Sequence, residues 1–407
     1  MKFSLRLVVF WLLITFLATS FGVNAQAAED SVEYPAPSQM FWSPNGQFIA
    51  SVDADGLITI WDVETGQAIH QINEEMSQHY RNSGLAHTPV VNAMSWGPND
   101  EIALVSTDGS VQIWDVREGT RIASLEYPDA PQGQGLGVEA GISDVTWTPD
   151  GSMLLVASTL TNFSFWDAQT YQFIEFQESP SSIDLAILKD GRMAVGTLYG
   201  VAFFPSYTET EYNIFLTIND ETLLGDEVVV VRWSFNGSYL LGITFDGRTY
   251  IWDRVTNSRL PVAVVYDLPY LSLSSDTVYI DDGDWTVIQA GGHIARYDFT
   301  SRDTVQSADL EDVPLAASWS PYGARAAYIT ANDPSVLRVE IPFASLAELS
   351  RILIRCDLEE DTTRLFSEYI ASGNIDRMLQ QLELLPETQI PIPCRQDLLD
   401  MANVLLQ

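Results

Sequence analysis

At 407 residues the chain is long enough for two or three ordinary domains, although a regular array of repeats can extend one domain over the same length. Apolar residues make up 46%, with 11 Trp, 16 Tyr and 18 Phe, which excludes global disorder and supplies a sheet-rich core. Fifty-five acidic against 20 basic residues give a formal charge of -35, which repels nucleic acid and anionic membrane surfaces and leaves solubility or a cationic partner as its uses.

The amino terminus carries Lys2 and Arg6, then an apolar stretch from Leu7 to Val23, then Ala25-Gln26-Ala27. A basic start, an apolar segment and a small-x-small site predict a secretory signal peptide over residues 1–27, cut after Ala25 or Ala27. Left uncut, the stretch is nearly long enough to anchor the chain in a bilayer. Either outcome leaves the folded part outside the membrane, at a secreted, periplasmic or cell-surface address.

Beyond residue 31 two patterns recur. Apolar strands run into Pro/Asn/Asp/Gly turns at Met40 to Gly46, Met94 to Asp100, Val145 to Gly151, Arg232 to Gly237 and Ser318 to Gly323. A second cassette, a tight turn leading into an alternating strand, appears at Asp55 to Asp62, Asp108 to Asp115 and Asp246 to Asp253. Trp147, Trp233 and Trp319 stand 86 residues apart, twice a period of about 43. The skipped positions hold weaker copies near Leu185 to Gly191 and Thr277 to Ile280, so five clear repeats and two degenerate ones make seven.

The Trp-Asp pairs Trp61-Asp62, Trp114-Asp115, Trp166-Asp167 and Trp252-Asp253, with Tyr297-Asp298 as a weakened fifth, resemble those of the WD-repeat family. The resemblance implies an all-β, seven-bladed propeller over residues 31–344, with four-stranded blades around a central channel. It also implies that His87, Ser106, Asp108 and Trp114 form the family's structural hydrogen-bond network in the second repeat. In this family the amino-terminal segment commonly completes the last blade, and Ser31-Val32-Glu33-Tyr34 is the candidate here.

Two insertions break the regular repeat. One, from Asn73 to Thr88, carries Glu74, Glu75, His79, Tyr80 and Arg81; the other, from Tyr127 to Gly141, carries Asp129. Long loops on one rim are candidate partner-binding elements. A third irregular stretch, Ser206 to Glu221, mixes acidic and aromatic residues without the spacing of a calcium loop.

After Pro342 the apolar spacing becomes helical, and residues 345–407 read as a small helical appendage. Its candidate faces are Leu346, Leu349, Ile352, Leu353 and Cys356; Leu365, Tyr369 and Ile370; Ile375, Met378, Leu379, Leu382 and Leu385; and Leu398, Leu399, Met401 and Val404. The appendage is expected to cap and close the array, since terminal repeats need covering, with partner binding as the other use. Cys356 and Cys394 are the two cysteines, and an oxidising address predicts a disulfide worth on the order of 3 kcal/mol.

The sequence has no His-Glu-x-x-His run, no Gly-x-Ser-x-Gly elbow, no Walker loop and no dinucleotide fingerprint. No catalytic residue, metal ligand or cofactor is therefore assigned. The leading expectation is an exported interaction scaffold that binds a protein or peptide partner, a use that comes from the family resemblance. The alternatives are a propeller enzyme, such as a metal-assisted hydrolase or lactonase, and a cation-dependent surface-binding module.

Overall fold

The structure is a computed structural model. It describes residues 37–53, 56–72, 91–106, 110–125, 141–159, 162–179, 181–209, 214–216, 227–244, 248–254, 263–265, 278–280, 284–289, 291–298, 301, 303–386 and 388–406. The predicted signal segment, Ser31 to Tyr34 and the two long insertions lie outside these residues.

Seven antiparallel sheets follow one another in chain order. Six are four-stranded: β1–β4 (37–72), β5–β8 (91–124), β9–β12 (142–178), β13–β16 (182–216), β17–β20 (228–265) and β21–β24 (278–309). The seventh, β25–β27 (314–340), has three strands among the described residues. The protein is a seven-bladed β-propeller, and both degenerate repeats form blades. Within each blade the strands are lettered a to d from the channel outward; the a strands of blades 2 to 5 stand side by side in order, as do those of blades 6, 7 and 1.

Burial follows from this order. Strand b of blade 1, Phe48–Asp53, is buried at every position because blades cover both its faces, whereas strand d, Ala68–Ile72, alternates. The a strands share a further device. In blades 1 to 5 and 7 the register between strands a and b slips near the start of strand a, opposite Ser158 in blade 3 and opposite Thr197 in blade 4. Such a bulge turns the next side chain out of the regular pleat and toward the neighbouring blade.

The tryptophan that ends strand a joins the blades. Trp96 Nε1 donates to Phe41 O at 3.1 Å, Trp233 Nε1 to Ala186 O at 3.1 Å and Trp42 Nε1 to Ser318 O at 3.2 Å. Each reaches the same point of the preceding blade. The last of these bonds closes the ring between blades 7 and 1, where Leu337 N also donates to Gly66 O at 3.0 Å.

Four helices follow: α1 (Leu346–Arg355), α2 (Glu360–Ala371), α3 (Ile375–Leu384) and α4 (Ile392–Leu406). Ser345 caps α1 by accepting from Glu348 N at 3.1 Å. Leu349, Ile352, Met378, Leu382, Leu398 and Met401 are buried in one cluster with Tyr322 and Ala324 of blade 7. Three expected faces differ in detail. Phe366, rather than Leu365, is the buried anchor of α2, and Leu346 and Val404 point to solvent. Helical spacing marks a face to within one neighbouring position, and the docking angle selects the side chain that enters the core. Cys356 and Cys394 form a disulfide that ties the end of α1 to the start of α4.

The helices also complete blade 7. In blades 1, 3 and 5 the turn between strands a and b is held by a hydroxyl bonded two residues on: Ser43 Oγ to Asn45 Oδ1 at 2.7 Å, Thr148 Oγ1 to Asp150 Oδ1 at 2.7 Å and Ser234 Oγ to Asn236 Oδ1 at 3.2 Å. Blade 7 has Tyr322 at that position. Ser320 Oγ donates instead to Asp397 Oδ2 of α4 at 2.8 Å, and Arg325 Nε donates to Asp397 Oδ1 at 2.6 Å. Arg325 lies over the Trp42 ring at 4.9 Å, so one guanidinium links α4, blade 7 and blade 1. Gly46 of blade 1 has φ +70 and leaves room for Pro393, which a Cβ there would meet at 2.8 Å.

Removing Asp397 leaves the buried Arg325 guanidinium only its 3.3 Å contact with Asp400 and leaves the Ser320 hydroxyl without its acceptor. Asp397→Ala is expected to cost about 3–5 kcal/mol, read from the urea unfolding midpoint, and the double change Arg325→Met with Asp397→Leu to cost less. Equal losses would show that the ion pair does not hold the helices.

Candidate functional site

The Trp-Asp signature does structural work in blades 1, 2, 3 and 5, which carry it. A buried indole N–H needs an acceptor. Trp61 Nε1 donates to Ser51 Oγ at 2.8 Å, Trp114 Nε1 to Gln112 Oε1 at 3.2 Å and Trp166 Nε1 to Ser164 Oγ at 3.0 Å. Leu104 holds the place in blade 2 that Ser51 holds in blade 1, so the indole of Trp114 turns to Gln112 on its own strand. Ser106 ends strand b, where its N–H donates to Ser110 O at 2.9 Å. His87 and Asp108, the other members expected in that network, lie outside the described residues. In blade 5 Tyr250 stacks on Trp252 at 6.0 Å, and Gly242 leaves the space that the indole fills.

The aspartates hold the turns between strands c and d. Asp62 Oδ1 accepts from Thr65 N at 2.8 Å and Thr65 Oγ1 at 2.7 Å, and Asp115 Oδ1 accepts from Glu118 N at 2.9 Å. Asp167 Oδ1 accepts from Thr170 N and Oγ1, both at 2.7 Å, and these bonds hold its carboxyl below the usual range. Asp253 ends strand c of blade 5 in the same position. In blades 1 to 3 the signature carboxylates are thus committed to their own hairpins. Asp55, Asp246, Glu74, Glu75, His79, Tyr80, Arg81 and Asp129 lie outside the described residues.

The a strands of blades 1 to 5 line a cavity of about 590 Å³, within the size range of ligand pockets. Its charged side chains are Asp144, Asp184 and Arg232, from blades 3, 4 and 5. Asp144 and Asp184 each follow the strand-a bulge, which aims them at the next blade. Asp144 Oδ2 accepts from Leu185 N at 2.9 Å; Asp184 Oδ2 accepts from Val231 N at 2.7 Å and Arg232 Nη1 at 3.1 Å. Burial, and then the charge of Asp184, push the Asp144 carboxyl well up; burial also pushes Asp184 up against the pull of Arg232. Two consecutive seams therefore carry half-buried carboxylates in the channel wall. Sequence reading missed both, and its one available signal was an Asp three residues before the end of strand a. Among the described residues no group of three or more His, Cys, Asp or Glu could hold a metal ion.

With this geometry established, the chain can be placed among known proteins. The profile of the anaphase-promoting complex subunit 4 WD40 domain matches residues 26–99. The small ribosomal subunit protein RACK1 of Caenorhabditis elegans is 27% identical over 117 residues, 29% of this chain and 32% of that protein. WD repeat-containing protein AAC3 of Dictyostelium discoideum is 22% identical over 237 residues, 52% of this chain and 45% of that protein. The chain thus spans less than half the length of these relatives. In three dimensions it resembles the β-propeller domain of Myceliophteria thermophila Cps50 (Swd1), with a TM-score of 0.54 and 13% identity, over 77% of this chain and 99% of that one. The repeated Trp-Asp signature and the seven blades make this chain a WD-repeat β-propeller.

Two measurements follow from the site. Ser51→Ala leaves the Trp61 N–H buried without its acceptor and is expected to cost about 1–3 kcal/mol in chemical denaturation. The pKa values of Asp144 and Asp184 are raised on folding, so the native state binds protons more tightly than the unfolded chain. The stability this contributes is fully present below the unfolded value, about 4, and is lost as pH rises through the folded values. The melting temperature is expected to rise as pH falls from 8 toward 5, and Asp144→Asn to flatten that rise. An unchanged slope in the variant would take the effect away from this pair.

Proposed function

We propose that this chain is an exported interaction scaffold whose outer strands and rim loops dock a protein partner outside the cytoplasm. The observation that carries the reading is a repeated exposure on strand d. Ile69, Ile122 and Ile174 of blades 1, 2 and 3 are 40%, 44% and 47% exposed, and each stands seven residues beyond the Asp of its Trp-Asp pair. Val305 of blade 6 holds the same place. Strand d is a sheet edge, and β-branched residues kept apolar there at one level of the ring offer footholds for a partner.

Two further features support the reading. The matched proteins include, by name, a small ribosomal subunit protein and a subunit of eukaryotic translation initiation factor 3, both parts of larger assemblies. Export rests on Lys2, Arg6, the apolar stretch and the Ala25-x-Ala27 site, and the Cys356–Cys394 disulfide suits an oxidising address. The insertions carrying Glu74 to Arg81 and Asp129, which lie outside the described residues, are the candidate loops of this reading.

The test is crosslinked capture from native envelope and extracellular fractions, comparing the wild type with Ile69→Lys/Ile122→Lys/Ile174→Lys and with a chain lacking residues 73–88. Exposed substitutions of this kind move stability by about 0.5 kcal/mol each or less. The triple variant is expected to lose a discrete captured species while keeping its unfolding midpoint. Unchanged capture in both variants would reject the outer strands and the loop as the docking surface.

A further inference from the structure

We infer that the outer strand of blade 3, Phe173–Glu178, is the docking surface for a basic, apolar segment of the protein partner, with Ile174 and Phe176 as its anchors and Glu175 and Glu178 as its counter-charges. The inference rests on the reading that the d strands carry the partner, and it names what that partner must present.

The exposed β-branched residues of strand d have one structural cause. In blade 1 Ile60 pairs with His70 and Trp61 with Ala68, so Ile69 has no opposite number on strand c. The same slip leaves out Ile122 in blade 2, Ile174 in blade 3 and Val305 in blade 6. A bulge of this kind re-aims its extra side chain and blunts the edge against indiscriminate strand pairing. These four blades therefore share one foothold, and blade 3 departs from the others two residues further on. Gln71, Ser124 and Ser307 hold that exposed position in blades 1, 2 and 6. In blade 3 it is Phe176, 38% exposed.

The Phe176 ring is held in place from beneath. Its centroid lies 4.6 Å from that of Phe173, and Phe173 meets the buried Trp166 edge to face at 5.5 Å. A ladder of three rings thus runs from the blade interior to its surface. A side chain ordered before binding loses little freedom on burial, so the ring is a ready anchor.

The charge around this anchor is of one sign. Blade 3, residues 142–178, holds Asp144, Asp150, Asp167, Glu175 and Glu178 and no Lys, Arg or His. Glu175 and Glu178 flank Phe176, both are exposed, and neither forms an ion pair among the described residues. Blades 2 and 6 carry Arg121 and Arg296, and blade 1, with His70, has Gln71 in place of the ring. Apolar anchors between open carboxylates fit lysine or arginine, whose long stem covers apolar surface while its charged head pairs. The charge of -35 attracts any basic segment at long range, and the apolar contact fixes where it sits.

The experiment uses the full chain and fluorescein-labelled dodecapeptides, read by anisotropy at about 0.15 M salt, where a Debye length of about 8 Å screens the general attraction. A peptide alternating lysine and valine is expected to bind about tenfold more tightly than one of equal charge alternating lysine and serine. Phe176→Ser is expected to remove that preference, and Glu175→Gln/Glu178→Gln to weaken the lysine-valine peptide about threefold or more. Asp303→Asn/Glu311→Gln takes two exposed charges from blade 6 instead and is expected to leave the affinity unchanged, as is Ile69→Ser/Ile122→Ser. A readout without mutation is amide exchange of residues 173–178, expected to slow when the lysine-valine peptide is bound. Equal affinity for the two peptides, a preference that survives Phe176→Ser, equal weakening by the blade 6 changes, or exchange that the peptide does not slow would each overturn the proposal. Partner capture lost in Ile69→Lys/Ile122→Lys/Ile174→Lys, with peptide binding indifferent to the blade 3 changes, would sink this inference and leave the scaffold reading standing. Peptide binding that depends on blade 3, with capture unchanged in the triple variant, would support this surface and reject the isoleucine belt.

Discussion

A ring of seven sheets has one seam that chain continuity cannot cover, because blades 1 and 7 come from opposite ends of the repeat array. Here that seam uses the same joint as the others. The indole of Trp42 reaches Ser318 O across 276 positions of sequence with the geometry by which Trp96 reaches Phe41 O in the adjacent seam. Met40, Trp61, Ile329 and Leu337 then fill the interface with apolar surface. A closed ring has no exposed blade face, and every other feature of the molecule is positioned by that closure.

The helical appendage belongs to this logic. Blade 7 lacks the side chain that would hold its own first turn, and α4 supplies Asp397 in its place. A second ionic contact lies on α1, where Glu348 accepts from Arg296 Nη1 of blade 6 at 2.7 Å and Arg355 Nη1 donates to Tyr322 O of blade 7 at 2.7 Å. Buried charges of this kind add little net energy over apolar contacts, but they demand one register. The apolar cluster under Tyr322 holds the helices on, and the ion pairs say where they sit.

Function is then a question of which surface groups the ring does not use for itself. The signature aspartates hold turns, and Asp144 and Asp184 bond the backbone of the next blade. The exposed isoleucines of strand d have no comparable part in holding the ring together.

The repeat, the blade number, the helical appendage and the disulfide pair were legible in the residues, because hydrophobic period, turn chemistry and cysteine count are local properties that survive without knowledge of the partner strand. The candidate site was less so. The register across the strands of blade 2 puts Leu104, where blade 1 has Ser51, opposite Gln112, and Gln112 accepts the hydrogen bond of the Trp114 indole. Asp144, Asp184 and Asp397 stand in stretches with no motif, and their roles exist only because a bulge or a docked helix brings them to another blade. Leu365 and Phe366 are neighbours in sequence, and the crossing of α2 over its neighbours buried one and exposed the other. Periodicity along a chain says which elements form; contacts between residues far apart in the chain, which depend on how those elements pack, settle which side chains are buried, which are paired and which are left for a partner.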